Sequence, residues 1–311
     1  MLSTTSNQQE MNNPILSLCL PTNGIIEWVF PVLNSIYAQN ADEKLFEVVV
    51  TNNGDNEKFH EMMVTYAEKH KNLIYKKTNA YMFHNQLEAL KLGTGHYLKL
   101  INHRATMIDG AVNWMLKMVN DNLDEKPVMY FSNGVMERNY LLNNFDDFVR
   151  CLGKYASWTT GVGIWKSDYE KLPADIKVDK ISPHSCILFA NRDNNKYKII
   201  DNIFCEEIEK DNSKKGTYDL FKAFGVEELT ITQNLYIDGD ITAATLKKVK
   251  NDYRKFVADL YWDFMIRRKP CSYKLSGFDD AMGIYFNKYE VILRAYMVGM
   301  KRMIKKLGRK Y

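Results

Sequence analysis

The 311-residue chain contains no run of 18 apolar residues, so no segment reads as a membrane-spanning helix. Its five cysteines, Cys19, Cys151, Cys186, Cys205 and Cys271, are widely spaced and form no Cys-x-x-Cys pair. That excludes a zinc knuckle and a disulfide framework and fits reduced thiols in a cytoplasmic protein. Residues 1–13 lack the basic start and apolar stretch of a secretion signal and read as a disordered lead-in. Repeats and low-complexity tracts are absent as well. Excess positive charge is confined to one place. Net charge is +4, but Lys301, Arg302, Lys305, Lys306, Arg309 and Lys310 bring +6 with no acid among residues 301–310, leaving the rest of the chain at −2. A general nucleic-acid-binding surface is therefore excluded.

What is present is ordinary for a globular protein, with 46% hydrophobic and 26% charged residues in a chain long enough for one large core or a core plus an appended module. The apolar run Ile15 to Leu20 is closed by Pro21-Thr22-Asn23 and followed by a helical stretch from about Ile25 to Gln39. A second run, Phe46 to Thr51, is closed by Asn52-Asn53-Gly54-Asp55. Short continuous apolar runs of this kind suit a parallel sheet covered on both faces, and their order is that of a βαβ unit. A third run, Tyr97 to Ile101, leads straight into Asn102-His103-Arg104. Strand ends in an open α/β sheet deliver side chains to the crevice where ligands bind, so this polar triplet is a candidate site.

Further along, helices are predicted over Asp109–Asn122, Phe145–Tyr155 and Asp179–Ala190, and strands over Pro127–Ser132 and Tyr197–Ile203. Asp211 to Gly216 is the best candidate boundary, which divides the chain into 14–210 and a helical region at 217–311. In that region two long helices are predicted, Asp240–Arg268 and Phe278–Leu307, broken at Lys269-Pro270-Cys271. The second carries Phe278, Met282, Tyr285, Tyr289, Ile292, Tyr296, Met300, Met303 and Leu307 at spacings of three or four. This amphipathic stripe suits packing against the rest of the chain or a second copy, and its basic end suits an anionic membrane surface.

Taken in order, the motifs resemble those of GT-A glycosyltransferases of family two, over about residues 14 to 205. Leu20-Pro21-Thr22-Asn23 ends the first strand, Asn52-Asn53-Gly54-Asp55-Asn56-Glu57 ends the second, and Asn85 and Ala89 precede Gly93-Thr94-Gly95-His96-Tyr97. Asn102-His103-Arg104 then stands where the family carries its metal-binding Asp-x-Asp. Bacterial members that build surface polysaccharides, the abequosyltransferase-like group among them, share this arrangement. The resemblance implies an α/β GT-A fold, Rossmann-like with a mostly parallel sheet flanked by helices, and a C-terminal helical extension. It implies an inverting hexosyl- or deoxyhexosyltransferase, with a nucleotide-sugar donor and a surface glycan or lipid-linked acceptor. Such an enzyme would be cytoplasmic, at most peripheral on the inner face of the plasma membrane.

The resemblance also assigns roles. Pro21, Thr22, Asn23, Asn52, Asn53, Asn85, Asn102, His103 and Arg104 would bind the nucleotide sugar, with Asn52 toward the base. Asn52 equally suits a turn without a ligand. Trp158, Gly161 and Trp165 would meet the acceptor, since an indole face stacks on sugar C–H groups, although a tryptophan at a core edge looks the same in sequence. Asp179 stands about where the general base is expected, with His184 behind it and Glu170 and Asp175 in reserve. A lone Asp at a helix start is equally a cap. The triplet lacks the carboxylate oxygens that hold a divalent cation, so no cofactor is expected to be essential. Arg104 would pair with phosphate through its planar fork, or else the protein is an inactive relative that binds nucleotide sugar or glycan as an assembly partner. A sugar nucleotidyltransferase would need a glycine-rich phosphate loop after the first strand, and Pro21-Thr22-Asn23-Gly24 is too short for one.

Overall fold

The structure is a computed structural model that describes residues 13–173, 176–208 and 216–307, with side chains of the last helix described through Ile304. Most of the 1–13 lead-in, Asp175, the 211–215 part of the boundary cluster, the side chains of Lys305 and Lys306, and Arg309 and Lys310 of the basic tail lie outside what is described. The chain divides into two compact units, one built from 1–144 and 158–208, the other from 145–157 and 209–311.

The first unit centres on a five-stranded sheet. Strands β1 (Leu16–Thr22) and β2 (Phe46–Asn52) pair in parallel along their whole length, Leu16 opposite Phe46 and Thr22 opposite Asn52. They are joined through helix α1 (Ile26–Tyr37). Helix α2 (Glu57–Lys69), capped by the Asn56 side chain, leads to β3 (Leu73–Lys77), and helix α3 (Asn85–Leu92) leads to β4 (Tyr97–Leu100). The order is β3-β2-β1-β4-β8, where β8 (Gly163–Trp165) runs antiparallel to β4. Each strand alternates its side chains between two covered faces, which is why β1 and β2 read as continuous apolar runs. Leu18, Leu20, Val48 and Val50 meet Val29, Val32 and Leu33 of α1 and Phe59 and Met63 of α2. On the opposite face Cys19 Sγ points to the Ala89 carbonyl of α3 at 3.5 Å.

Two smaller sheets flank this one. Strand β5 (Ala105–Met107) pairs with β10 (Cys205–Glu207), and β6 (Val128–Phe131), β9 (Tyr197–Ile200) and β7 (Tyr140–Leu142) form the other in the order β6-β9-β7. Helix α4 (Ala111–Asn120) buries Val112, Met115, Leu116 and Val119, the face its spacing predicts. The helix expected from Asp179 to Ala190 is shorter. Pro183 occupies its first turn, so only Pro183–Leu188 is helical and Asp179 lies ahead of it.

In the second unit, helix α5 (Phe145–Leu152) packs against the long helix Ala243–Leu260. The Asp146 carboxylate accepts from Thr242 N at 2.6 Å and from Thr245 Oγ1 at 2.9 Å, fixing the start of that helix. The predicted helix from Phe278 to Leu307 is interrupted: Phe278–Met282 is helical, then Asn287 starts a new helix, Lys288–Leu307, by accepting from Tyr289 N and Glu290 N. The new helix buries Val291 and Ala295 and lays Gly299 against the Trp262 ring, where a Cβ would fall 2.2 Å from a ring carbon. Tyr289, Leu293, Tyr296, Met297, Met300 and Ile304 are consequently exposed.

One buried charge in the first unit has measurable consequences. Lys99 on β4 is 0% exposed, its ammonium donates to the carbonyls of Leu100, Thr160 and Val162, and it sits 5.0 Å from the Phe131 ring centroid. Among the described residues no carboxylate pairs with it, and burial pulls its pKa down to about 7 from the usual 10.5. Between those two values the unfolded chain holds a proton that the folded chain has lost, so raising the pH stabilises the fold. Thermal melts between pH 6 and 10 should therefore show stability rising with pH above about 7 in the wild type, and the rise should be reduced in Lys99→Met. Parallel curves for the two proteins would remove Lys99 as the cause.

Candidate functional site

The site forms where β1, β2 and β4 end. β4 is offset, so Leu100 lies opposite Cys19, and the chain beyond it runs alongside the end of β1, with Ile101 N donating to Cys19 O at 2.8 Å. This offset brings Asn102-His103-Arg104 beside Pro21-Thr22-Asn23. The loop after β2 closes in from the other side. Gly54 is so near the Asn23 backbone that a Cβ would fall 2.0 Å from the Asn23 carbonyl oxygen, a contact no other residue allows.

Three asparagines make the floor. Asn85, 2% exposed, donates to Thr22 O at 3.0 Å and Thr51 O at 2.8 Å while its Oδ1 accepts from Thr78 Oγ1 at 2.8 Å. One amide thus ties the ends of β1 and β2 to the loop after β3. Asn52, fully buried, closes the turn on Gly54, accepting from Gly54 N at 2.9 Å and donating to Gly54 O at 3.3 Å. Asn53 donates to the carbonyls of Ala80 and Met82 at 2.9 and 2.8 Å. These side chains bind backbone, whereas Asn23 is exposed.

The triplet forms the wall. Asn102 N donates to Thr160 Oγ1 at 3.1 Å, and Asn102 Oδ1 accepts from Arg104 N at 3.1 Å and Arg104 Nε at 3.4 Å. His103 Nδ1 lies 2.8 Å from Thr22 Oγ1, which also accepts from Gly24 N. Burial, helped by the Arg104 charge, pushes the His103 pKa down to about 3, so the ring is neutral at physiological pH. Trp28 of α1, 1% exposed, touches two members of the triplet: its ring meets His103 edge-on at 5.1 Å, and the Arg104 guanidinium lies over it at 5.3 Å. Arg104 Nη1 is buried and has no hydrogen-bond partner. Trp28 and Thr160 belong to this corner and escape a sequence reading, because Trp28 falls on the buried face of an amphipathic helix and Thr160 lies far along the chain.

These residues do not fit a divalent cation. Asn102 Oδ1 and His103 Nδ1 already have partners, no carboxylate is present, and a guanidinium repels a cation. Among the described residues no group of three or more His, Cys, Asp or Glu side chains could hold a metal.

The residues expected at the acceptor and base positions lie on other elements. Trp165 is 1% exposed, with its indole N–H donating to Pro127 O at 2.7 Å and its ring against Tyr97, so it presents no face to a sugar. Gly161 is buried where a Cβ would meet the Tyr130 ring at 2.3 Å. Trp158 is half-buried at the core edge, 6.1 Å from the Phe204 ring. Asp179 Oδ1 accepts from Ile181 N at 2.7 Å and Ser182 N at 2.9 Å, closing the turn ahead of Pro183–Leu188, and Oδ2 takes no part in it. His184 is 5% exposed on that short helix, which packs against α3 and β8. Glu170 faces Lys166 at 3.7 Å on the surface.

No protein-family model matches the chain, and no curated protein matches it by sequence. Solved structures do match by fold. S. aureus TarS 1–349 in complex with UDP-GlcNAc superposes with a TM-score of 0.60 at 12% identity, over 87% of this chain and 80% of that one. The complex with UDP gives a TM-score of 0.56 at 12% identity, over 79% and 71%. Another S. aureus TarS structure gives 0.51 at 12% identity, over 80% of this chain and 43% of that one, so this chain spans less than half of its length. With its mostly parallel sheet flanked by helices, the chain has the GT-A fold.

Proposed function

We propose that this protein is a glycosyltransferase that moves a sugar, with inversion, from a nucleotide-sugar donor to a bacterial surface glycan or lipid-linked acceptor, and that Arg104 serves the departing diphosphate in place of a metal. Arg104 Nη1 carries the reading: a buried, charged donor without a partner is costly unless an anion completes it. The diphosphate is such an anion, and the strand ends where Arg104 sits are where ligands of open α/β sheets bind. TarS, whose fold this chain shares, has been crystallised with UDP and with UDP-GlcNAc.

In the reaction proposed, the acceptor hydroxyl oxygen attacks the anomeric carbon and gives its proton to Asp179 Oδ2. The bond from that carbon to the phosphate oxygen breaks, and the diphosphate leaves with the electron pair. Arg104 stabilises the charge that develops there. Asn23, Asn52 and Asn53 surround the nucleotide, Asn52 and Asn53 by shaping the loops. The half-buried face of Trp158 is the acceptor contact. The exposed apolar face of helix Lys288–Leu307, with its basic end, would hold the enzyme at an anionic membrane.

Three outcomes are expected. Calorimetry should show nucleoside diphosphate binding that survives chelation, and Arg104→Ala should weaken UDP or GDP far more than uridine or guanosine, by roughly 1.5–3 kcal/mol for a charge-assisted contact. A strict manganese or magnesium requirement would sink this reading, and binding to none of these ligands would favour the assembly-partner alternative. Asp179→Asn keeps the capping oxygen and removes the proton acceptor, so fold and donor affinity should persist while turnover falls about 10²-fold or more. Near-normal turnover would move the base to His184, or to Glu170 or Asp175 behind it. Finally, the protein should sediment with anionic vesicles at low salt, each basic residue adding about 1 kcal/mol, and deleting Lys301 to Tyr311 should abolish this while sparing turnover of a soluble acceptor. Indifference to such vesicles would leave the apolar face to a protein partner.

A further inference from the structure

The Trp28 ring lies against the Arg104 guanidinium, 5.3 Å from its central carbon. An aromatic face carries the negative end of a quadrupole, so it attracts a cation and disfavours an anion. Beneath a metal-binding carboxylate pair, an indole in this place would oppose the charges beside it. Beneath a guanidinium it is matched to its neighbour. The geometry is specific on both sides of the head group: Asn102 Oδ1 takes Nε, the Trp28 ring lies 5.3 Å from the guanidinium carbon, and Nη1 is left as the unsatisfied donor. The same ring meets His103 edge-on, and His103 is joined to Thr22 at the end of β1. Trp28 thus touches both the cation and the histidine that joins the triplet to the strand end.

We propose that Trp28 is a positioning residue for the donor diphosphate: it holds the Arg104 guanidinium, through its ring face, with Nη1 presented to a phosphate oxygen. This rests on the reading of Arg104 given above. A long, flexible arginine that must be ordered at the moment of binding loses rotamer entropy, and a guanidinium already clamped between a carboxamide and an indole does not. The expected signature is thus a loss confined to diphosphate-bearing ligands, with the nucleoside unaffected.

The experiment measures the affinity ratio of UDP to uridine, and of GDP to guanosine, in the full-length protein with Trp28 replaced by leucine, by phenylalanine, and by mono-, di- and trifluorinated tryptophan. Fluorination drains the ring face while keeping its shape, so it tests the interaction in a protein that still folds. The ratio should fall stepwise with fluorine number, by about threefold to thirtyfold in total, the range of one desolvated cation–π contact. It should collapse in Trp28→Leu and be largely rescued in Trp28→Phe. Arg104→Ala is run alongside. If Arg104→Ala collapses the ratio while the fluorinated series stays flat, Trp28 is a core residue only and this inference fails alone. If Arg104→Ala leaves the ratio unchanged, the diphosphate reading itself fails and takes the role of Trp28 with it.

Discussion

A guanidinium held in a corner with a buried nitrogen that has no hydrogen-bond partner is the interaction on which the candidate site depends. In a GT-A fold the end of the fourth strand is a place of concentrated negative charge when carboxylates hold a metal there, and the surroundings must be compatible with that. Here the triplet is Asn102-His103-Arg104, and the surroundings suit a cation. Asn102 offers its carbonyl oxygen to Nε, and Trp28 offers a π face. His103 stays neutral because burial and the Arg104 charge both disfavour a second positive charge. Every one of these neighbours favours the guanidinium.

That corner depends on the register of strands remote from it. Thr22 reaches His103 only because β1 and β2 end level and β4 ends earlier, so the chain after β4 runs beside the β1 terminus. Asn85 maintains this by binding two carbonyls on adjacent strands with one amide group, so a shift of β1 against β2 by a single residue would leave a buried amide unpaired. At the other end of the strands Glu47 accepts from Ser17 Oγ at 2.6 Å and from Thr94 Oγ1 at 2.9 Å, tying β1 and β2 to the turn before β4. The sheet is pinned at both ends, which gives the triplet a fixed platform.

Much of the frame was legible because it is local. Continuous apolar runs mark β1 and β2, Pro21 and Gly54 mark their ends, and the polar triplet after Tyr97–Ile101 marks the crevice. What stayed hidden is long-range. Composition does not reveal that Asn52, Asn53 and Asn85 turn their amides to backbone, because an asparagine reading a base and one closing a turn have the same spelling. Trp28 is spaced like any core residue of α1. The segment 145–157 sits inside the predicted first region but clusters with the second unit, through an Asp146 whose partners Thr242 and Thr245 lie almost a hundred residues away. The stripe from Phe278 to Leu307 was visible as a pattern, yet Asn287 restarts the helix and Trp262 selects the Val291–Ala295–Gly299 face, so most of the later stripe residues turn outward.

What a buried polar corner can bind depends on where its unsatisfied polarity falls. Loss of two carboxylates by drift would leave polar groups facing one another without regard to sign, and the buried cost would be spread among them. In this corner Thr22 Oγ1, His103 Nδ1, Asn102 Oδ1 and Arg104 Nε all have partners. Arg104 Nη1, a charged donor, is buried without a hydrogen-bond partner. On the proposal that Arg104 serves the diphosphate, one positive charge would stand where a divalent ion brings two and the neutral His103 would add none, so stabilisation of the leaving group would depend on direct hydrogen bonding in a fixed direction more than on net charge. A planar guanidinium whose Nε is already held by Asn102 fixes the direction of Nη1 and a freely rotating ammonium does not, which is the physical reason that arginine, clamped from two sides, suits this position better than lysine.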